Sequence, residues 1–180
     1  MTIQEARTNC AIKQKLGLHF ILASVLIWTA VLCVHLTGLH PLTKNLLTFC
    51  CTAMLAPLGY LFSRLLHIDF QAKDSPFSKL MVLFSLNQLP YLLIAMWIYY
   101  EIPDRMPMVL AVIFGAHLLP YSWLYQSKNY LVFSIAVSVA ALAVGLNFSP
   151  AVLALMMVCA EILFCVLLWF EYKKLVQKSG

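Results

Sequence analysis

PAVLALMMVCAEILFCVLLWFE, Pro150 to Glu171, is the stretch that decides the fold. Wound as a helix at ~1.5 Å per residue it covers ~33 Å, enough to cross a hydrocarbon layer ~30 Å thick. One acidic residue, Glu161, interrupts it midway. Working outward, five more apolar runs precede it: Leu16 to Leu39, Leu46 to Leu66, Leu80 to Tyr100, Met106 to Tyr125, and Tyr130 to Leu146. The fifth run is short, so it stands nearly upright or borrows turns from its flanks. The segments lack the two-residue alternation of a β-barrel. Lipid obliges each backbone N–H and C=O to find a partner within its own segment, which leaves an all-α bundle of six transmembrane helices in a single domain, residues 1–180.

Composition agrees. The 180 residues are 63% hydrophobic and carry only 12 basic and 7 acidic side chains, at a mean hydropathy of +0.88. A soluble domain is nearer ~50% hydrophobic and ~25% charged. There is too little charge for a disordered chain or for a nucleic-acid-binding face. The first run is preceded by Arg7, Lys13 and Lys15 but is too long for a signal-peptide core and has no Ala-x-Ala-like cleavage site, so it reads as a retained span.

Lysine and arginine set the expected orientation. With the N-terminus cytoplasmic, the inside holds Arg7, Lys13, Lys15, Arg64, Lys73, Lys79, Lys128, Lys173, Lys174 and Lys178, and the outside only Lys44 and Arg105. Both termini are therefore expected in the cytoplasm. Trp97, Tyr99 and Tyr100 mark the outer boundary; Trp123, Tyr125, Tyr130, Trp169 and Tyr172 mark the inner one. The net charge of +5 follows from this asymmetry and adds attraction to anionic headgroups.

Helix punctuation falls between the runs. Thr43, Ser75, Asp104 and Ser149 are expected N-caps, with Pro76 and Pro150 at first helical positions. Gly145 and Asn147 are expected to close the fifth helix in left-handed conformations. The link from His67 to Ser78 is mixed in charge and too short for a domain. Thr2 and Glu5 have the spacing of a capping box, which predicts a brief interfacial helix before Leu16. Small residues make close-packing edges at Ala111 with Gly115 and at Ala56 with Gly59. They also run through the fifth helix (Ser134, Ser138, Ala141, Gly145), which is expected to be the most enclosed.

An internal echo joins two spans. Asn87-Gln88-Leu89-Pro90-Tyr91 resembles His117-Leu118-Leu119-Pro120-Tyr121, and Pro57 with Tyr60 is a weaker third instance. Each interior proline deletes a helix hydrogen bond and frees a carbonyl, so Pro57, Pro90 and Pro120 are candidate hinges, or kinks alone. Interrupted helices at mid-depth mark binding sites in transporters.

Glu161 is the only acid inside a span, and a charge at mid-depth costs roughly 2.5 kcal/mol or more. It is carried neutral or it faces a partner. Counted from the outer end of each span, His117 and Glu161 both lie ~16 Å deep, Gln88 ~18 Å and Asn87 ~20 Å. Glu161, His117, Asn87 and Gln88 thus form one expected polar layer: either a site for a proton, an ion or a small polar or amphiphilic ligand, or interhelical glue worth about 0.6 kcal/mol per bond. His19 and His35, near the two ends of the first span, read as interfacial. Depth mismatch between His35 and His117 argues against haem. Cys10, Cys33, Cys50, Cys51, Cys159 and Cys165 read as packing residues without a C-x-x-C motif. No metal site, cofactor or catalytic motif is read.

Asn87-Gln88-Leu89, Gly115-Ala116-His117-Leu118-Leu119-Pro120-Tyr121-Ser122-Trp123 and Asn147-Phe148-Ser149-Pro150 resemble a family of small six-span bacterial membrane proteins of unknown function, across all six spans. The resemblance implies a bacterial cytoplasmic membrane and brings no activity or ligand. Two classes of function stay open. One is a small transporter or permease-like protein using the polar layer. The other is a non-transporting scaffold, accessory subunit or immunity-type interaction protein, with a second copy or another membrane protein as partner.

Overall fold

A computed structural model describes residues 2–68, 70 and 76–179. Among them there is no strand. The helices are α1 (Ile3–Lys13), α2 (Leu18–Leu36), α3 (Pro41–Ala53), α4 (Leu55–Leu65), α5 (Ser78–Leu86), α6 (Leu89–Glu101), α7 (Met106–His117), α8 (Leu119–Tyr125), α9 (Lys128–Asn147) and α10 (Pro150–Ser179). They make six spans long and apolar enough to cross a membrane: α2, α3 with α4, α5 with α6, α7 with α8, α9, and α10. The fifth gains the turns it needs from its flanks, running from Lys128 rather than Tyr130. The second begins at Pro41, and the sixth continues past Glu171.

The three proline-bearing spans are the broken ones. Pro57, Pro90 and Pro120 have no N–H to offer the carbonyl four residues back, and each helix yields two or three residues before its proline. The yielding residues are Met54, Asn87 with Gln88, and Leu118, all with right-handed helical backbones, so the breaks are tightened turns rather than reversals. Short i to i+3 bonds carry the chain through: Met54 N–H to Cys51 O at 3.1 Å, Tyr91 N–H to Gln88 O at 3.1 Å and Leu118 N–H to Gly115 O at 3.1 Å.

Successive spans pack as neighbours, and the first and sixth, which share the most extensive contact in the molecule, close the ring. In lipid such contacts are held by close packing rather than by the hydrophobic effect. Two apolar cores fill the ring. One lies toward the end that holds the chain termini and includes Leu16, Ile21, Leu118, Tyr130, Phe164 and Leu168. The other lies toward the opposite, distal end and includes Trp28, Val31, Ala111, Val137, Ala154 and Met157. The first span is the most enclosed, with 50% of its most apolar 18-residue stretch buried against 28% for that of the fifth. The expected enclosure of the fifth is thus corrected: α9 spends its small residues on one face, against α7, while α2 meets both α10 and the second span. There the Gly115 position presses on Ser138, where a Cβ would meet the Ser138 amide nitrogen at 2.9 Å.

Capping follows the sequence in part. Thr2 and Glu5 complete their capping box on α1, and Ser149 Oγ accepts from Val152 N–H at 3.5 Å. Thr43 lies inside α3, whose N-cap is His40, because Pro41 starts the helix two residues earlier. Asp104 sits within the turn Pro103–Arg105, and α7 starts after it. The fifth helix ends on an extended Phe148, and neither Gly145 nor Asn147 has a positive φ. Left-handed residues sit instead at His67 (φ 53°), at Gln126 (φ 54°), which closes α8, and before the first span, at Lys15 (φ 46°), Leu16 (φ 55°) and Gly17 (φ 72°). This turn is held by Lys15 Nζ donating to Leu66 O at 2.7 Å and by the Tyr130 hydroxyl donating to Leu16 O at 2.7 Å. Ser75, with Asp69, Lys73 and Asp74 of the same link, lies outside the described residues.

Candidate functional site

The buried face of α10 repeats at intervals of three and four residues: Ala154, Met157, Glu161, Phe164 and Leu168. On α2 the matching set is Ile21, Ser24, Trp28 and Val31, all buried. This spacing is the seam of two helices packed knobs into holes. The distal core takes Trp28, Val31, Ala154 and Met157, and the terminal core takes Ile21, Phe164 and Leu168. The remaining seam positions are Ser24 and Glu161, which the antiparallel register sets level between the two cores.

Glu161 is 2% exposed, and its Oε2 has no hydrogen-bond partner among the described residues. Tyr130 and Cys165 are close enough to feel its charge. Phe164, one turn along, packs edge-on against the Tyr130 ring at 4.9 Å and stacks on Phe133 at 4.5 Å. The carboxyl group is therefore walled by aromatic rings and thiol on the terminal side and by apolar residues on the distal side. A buried polar group left without a partner forfeits roughly 1–3 kcal/mol. Folding alone gives no reason to place one on the tightest seam of the bundle.

His117 ends α7 just before the break, half-buried, its ring 5.3 Å from that of Tyr121 and its Nδ1 buried without a partner among the described residues. Tyr121 continues into a cluster with Tyr125 and Tyr130, at ring separations of 5.8 and 6.1 Å, so an aromatic path leads from His117 to the neighbourhood of Glu161. Asn87 and Gln88 form the break of the third span; Asn87 is exposed and Gln88 half-buried. No hydrogen bond joins any two of these four side chains among the described residues. Glu161 and His117 thus face the interior of the bundle, whereas Asn87 opens onto its surface.

Sequence reasoning passed over His19 and Ser24. His19 is not interfacial: it is 1% exposed, with both ring nitrogens unpartnered among the described residues and its ring 4.3 Å from Phe20. Position near a span end suggested water, but Phe70, from the link after the second span, packs against its ring at 6.1 Å. Ser24 was legible in principle, being the one hydroxyl on a three-and-four stripe of otherwise large apolar residues.

Fold and site together define a multi-pass helical membrane protein with a buried carboxyl group midway along the apolar part of its sixth span, its Oε2 without a partner among the described residues. The chain belongs to the family of unknown function DUF7010, which it matches over residues 3–171. No curated protein and no solved structure matches it.

Proposed function

We propose that this protein is a small transporter or permease-like protein of a bacterial cytoplasmic membrane, with both termini inside, that carries a proton at Glu161 as part of its cycle. The observation that supports the reading is one of level. The breaks at Met54, Asn87 with Gln88, and Leu118 fall twelve to fourteen residues from the distal ends of their spans, ~18–21 Å deep, and Glu161 lies eleven from Pro150, ~16 Å and within one helical turn of that level. Three consecutive spans thus bend at the depth of the buried acid, while the first, fifth and sixth run unbroken. Broken helices moving against a continuous set around a mid-depth polar site is how many transporters alternate access. In this reading His117 exchanges the proton with Glu161, Asn87 and Gln88 contact the ion or small polar substrate, and Pro57, Pro90 and Pro120 are hinges. The ten-to-two division of basic residues supports the orientation.

Proteoliposomes with an imposed potential and an internal pH dye test it. The wild-type chain gives a proton flux, and Glu161→Gln and His117→Gln each reduce it at least tenfold while remaining folded. Flux equal to that of empty vesicles sinks the reading. The exposure of Asn87 favours a second reading, a non-transporting interaction protein that satisfies this amide with a partner in the membrane. Cross-linking from Cys substituted at position 87, with a partner captured and no flux, would select it.

A further inference from the structure

The distal end of the bundle holds a cavity of about 180 Å³ that the Glu161 reading does not use. Its walls include His35 from the end of α2, Lys44 and Asn45 from α3, Asp104 from the turn before α7, and Ser149 with Pro150 at the start of α10. At ~30 Å³ per water it has room for roughly six waters, or an organic molecule of comparable size. The walls are fixed in place. Asn45 is 1% exposed and its amide donates to Pro103 O at 2.8 Å, tying α3 to the turn that carries Asp104. Thr48 spends its hydroxyl proton on Lys44 O at 2.9 Å, so His35 Nε2–H donates to Thr48 Oγ1 at 3.1 Å, which fixes the His35 ring.

Two opposite charges share the cavity and are not spent on each other. Lys44 Nζ reaches only the backbone oxygen of His35, at 3.4 Å, and Asp104 has no partner among the described residues. Both line the same cavity as His35 and are near enough for their charges to be felt at its ring. A small anion alone would satisfy Lys44 and be repelled by Asp104; a small cation meets the reverse. The ligand that satisfies both carries the two charges itself.

We infer that this cavity is a binding site for a small zwitterion, a primary ammonium joined through one to three atoms to a carboxylate or phosphate. The acid group pairs with Lys44 and with the Ala151 N–H of α10, the one donor of that first turn not removed by Pro150 or taken by Ser149, where the helix dipole favours negative charge. The ammonium pairs with Asp104. This chemistry belongs both to free amino acids and to the ethanolamine headgroup of a membrane lipid. The inference does not depend on Glu161.

Thermal unfolding of the purified full-length protein, in detergent, with glycine, β-alanine and phosphoethanolamine tests it, since a ligand of the native state raises the unfolding temperature by mass action. At least one zwitterion gives a saturable rise, while acetate and ethylammonium do not. Lys44→Gln and Asp104→Asn each weaken the apparent affinity about tenfold or more, the loss of one charge-assisted pair. Asp104 is exposed, so its variant folds whatever the site does. Glu161→Gln leaves the binding intact, which separates this site from the proton reading. A second arm uses nanodiscs: in phosphatidylglycerol the soluble zwitterion still binds, and its loss in phosphatidylethanolamine discs assigns the site to the lipid headgroup, whereas equal binding in both assigns it to a soluble ligand. The inference is overturned if no zwitterion shifts unfolding, if acetate binds as well as glycine, or if both charge variants bind like the wild type.

Discussion

At the scale of single residues, Glu161 separates a functional acid from structural glue. A carboxyl group that fixes register by hydrogen bonding stabilises the bundle, and its removal costs stability. Here Oε2 has no partner among the described residues, and the seam residues on either side of the Ser24–Glu161 level are apolar. Glu161→Leu, close in volume, should therefore raise stability by ~1 kcal/mol. For a chain of this length that is about 2–4 °C in unfolding temperature, read by scanning fluorimetry in detergent. A clear fall would show that the side chain holds the helices together. Gly115 and Gly59 test packing in the same assay. A Cβ at Gly115 would meet the Ser138 backbone nitrogen at 2.9 Å, and backbone yields only if α7 and α9 separate. At Gly59 the obstacle is the Phe20 ring at 2.7 Å, which turns aside more cheaply. Gly115→Ala should cost ~1–3 kcal/mol and Gly59→Ala distinctly less. Equal losses would mean that the α7–α9 contact is looser than its geometry.

Elements show how far sequence reaches and where it stops. The six apolar runs and the three prolines were legible because length in lipid and a missing N–H act locally, on the segment that carries them. The Thr2–Glu5 box and the Ser149 cap were legible for the same reason. Thr43 and Asp104 misled because the true starts at Pro41 and Met106 depend on how the preceding turns leave the neighbouring span. The same holds for His19, packed against Phe70 outside its own helix, and for the cavity at Lys44 and Asp104, assembled around three separate connections between spans. Of the expected polar layer, common depth was readable from counting, but the facing of Asn87 was not, since it depends on rotation about the span axis. Pro120 provides the test proper to this scale. Pro120→Ala restores an N–H within reach of Ala116 O and lets α7 and α8 merge. Stability should be unchanged or slightly higher, while proton flux in proteoliposomes falls about tenfold. Unchanged flux would reduce Pro120 to a kink.

For the whole molecule, the decisive contrast is between a continuous half and a broken half. The first, fifth and sixth spans run without interruption, and the seam of the first with the sixth is the most extensive contact. The second and third spans are the least enclosed; in the third, α5 buries none of its residues and α6 only Ala95. The third span is anchored through α6, whose Ala95 packs with Met106 and Leu110 of the fourth. Local opening is easiest where few contacts must break, so the ring should loosen first at α5 and last along the Ser24–Glu161 seam. Hydrogen exchange in detergent or nanodiscs checks this by peptide. Ser78–Leu86 should exchange fastest of all span segments, the distal halves of the second and fourth spans at intermediate rates, and the α2 and α10 seam slowest. Ligation should protect α5 if the broken spans move during function, because closing them on a substrate gives contacts to a segment that otherwise buries no residue. Uniform exchange across all six spans would remove the mechanical asymmetry on which alternating access depends, and the buried acid would then sit in a rigid ring.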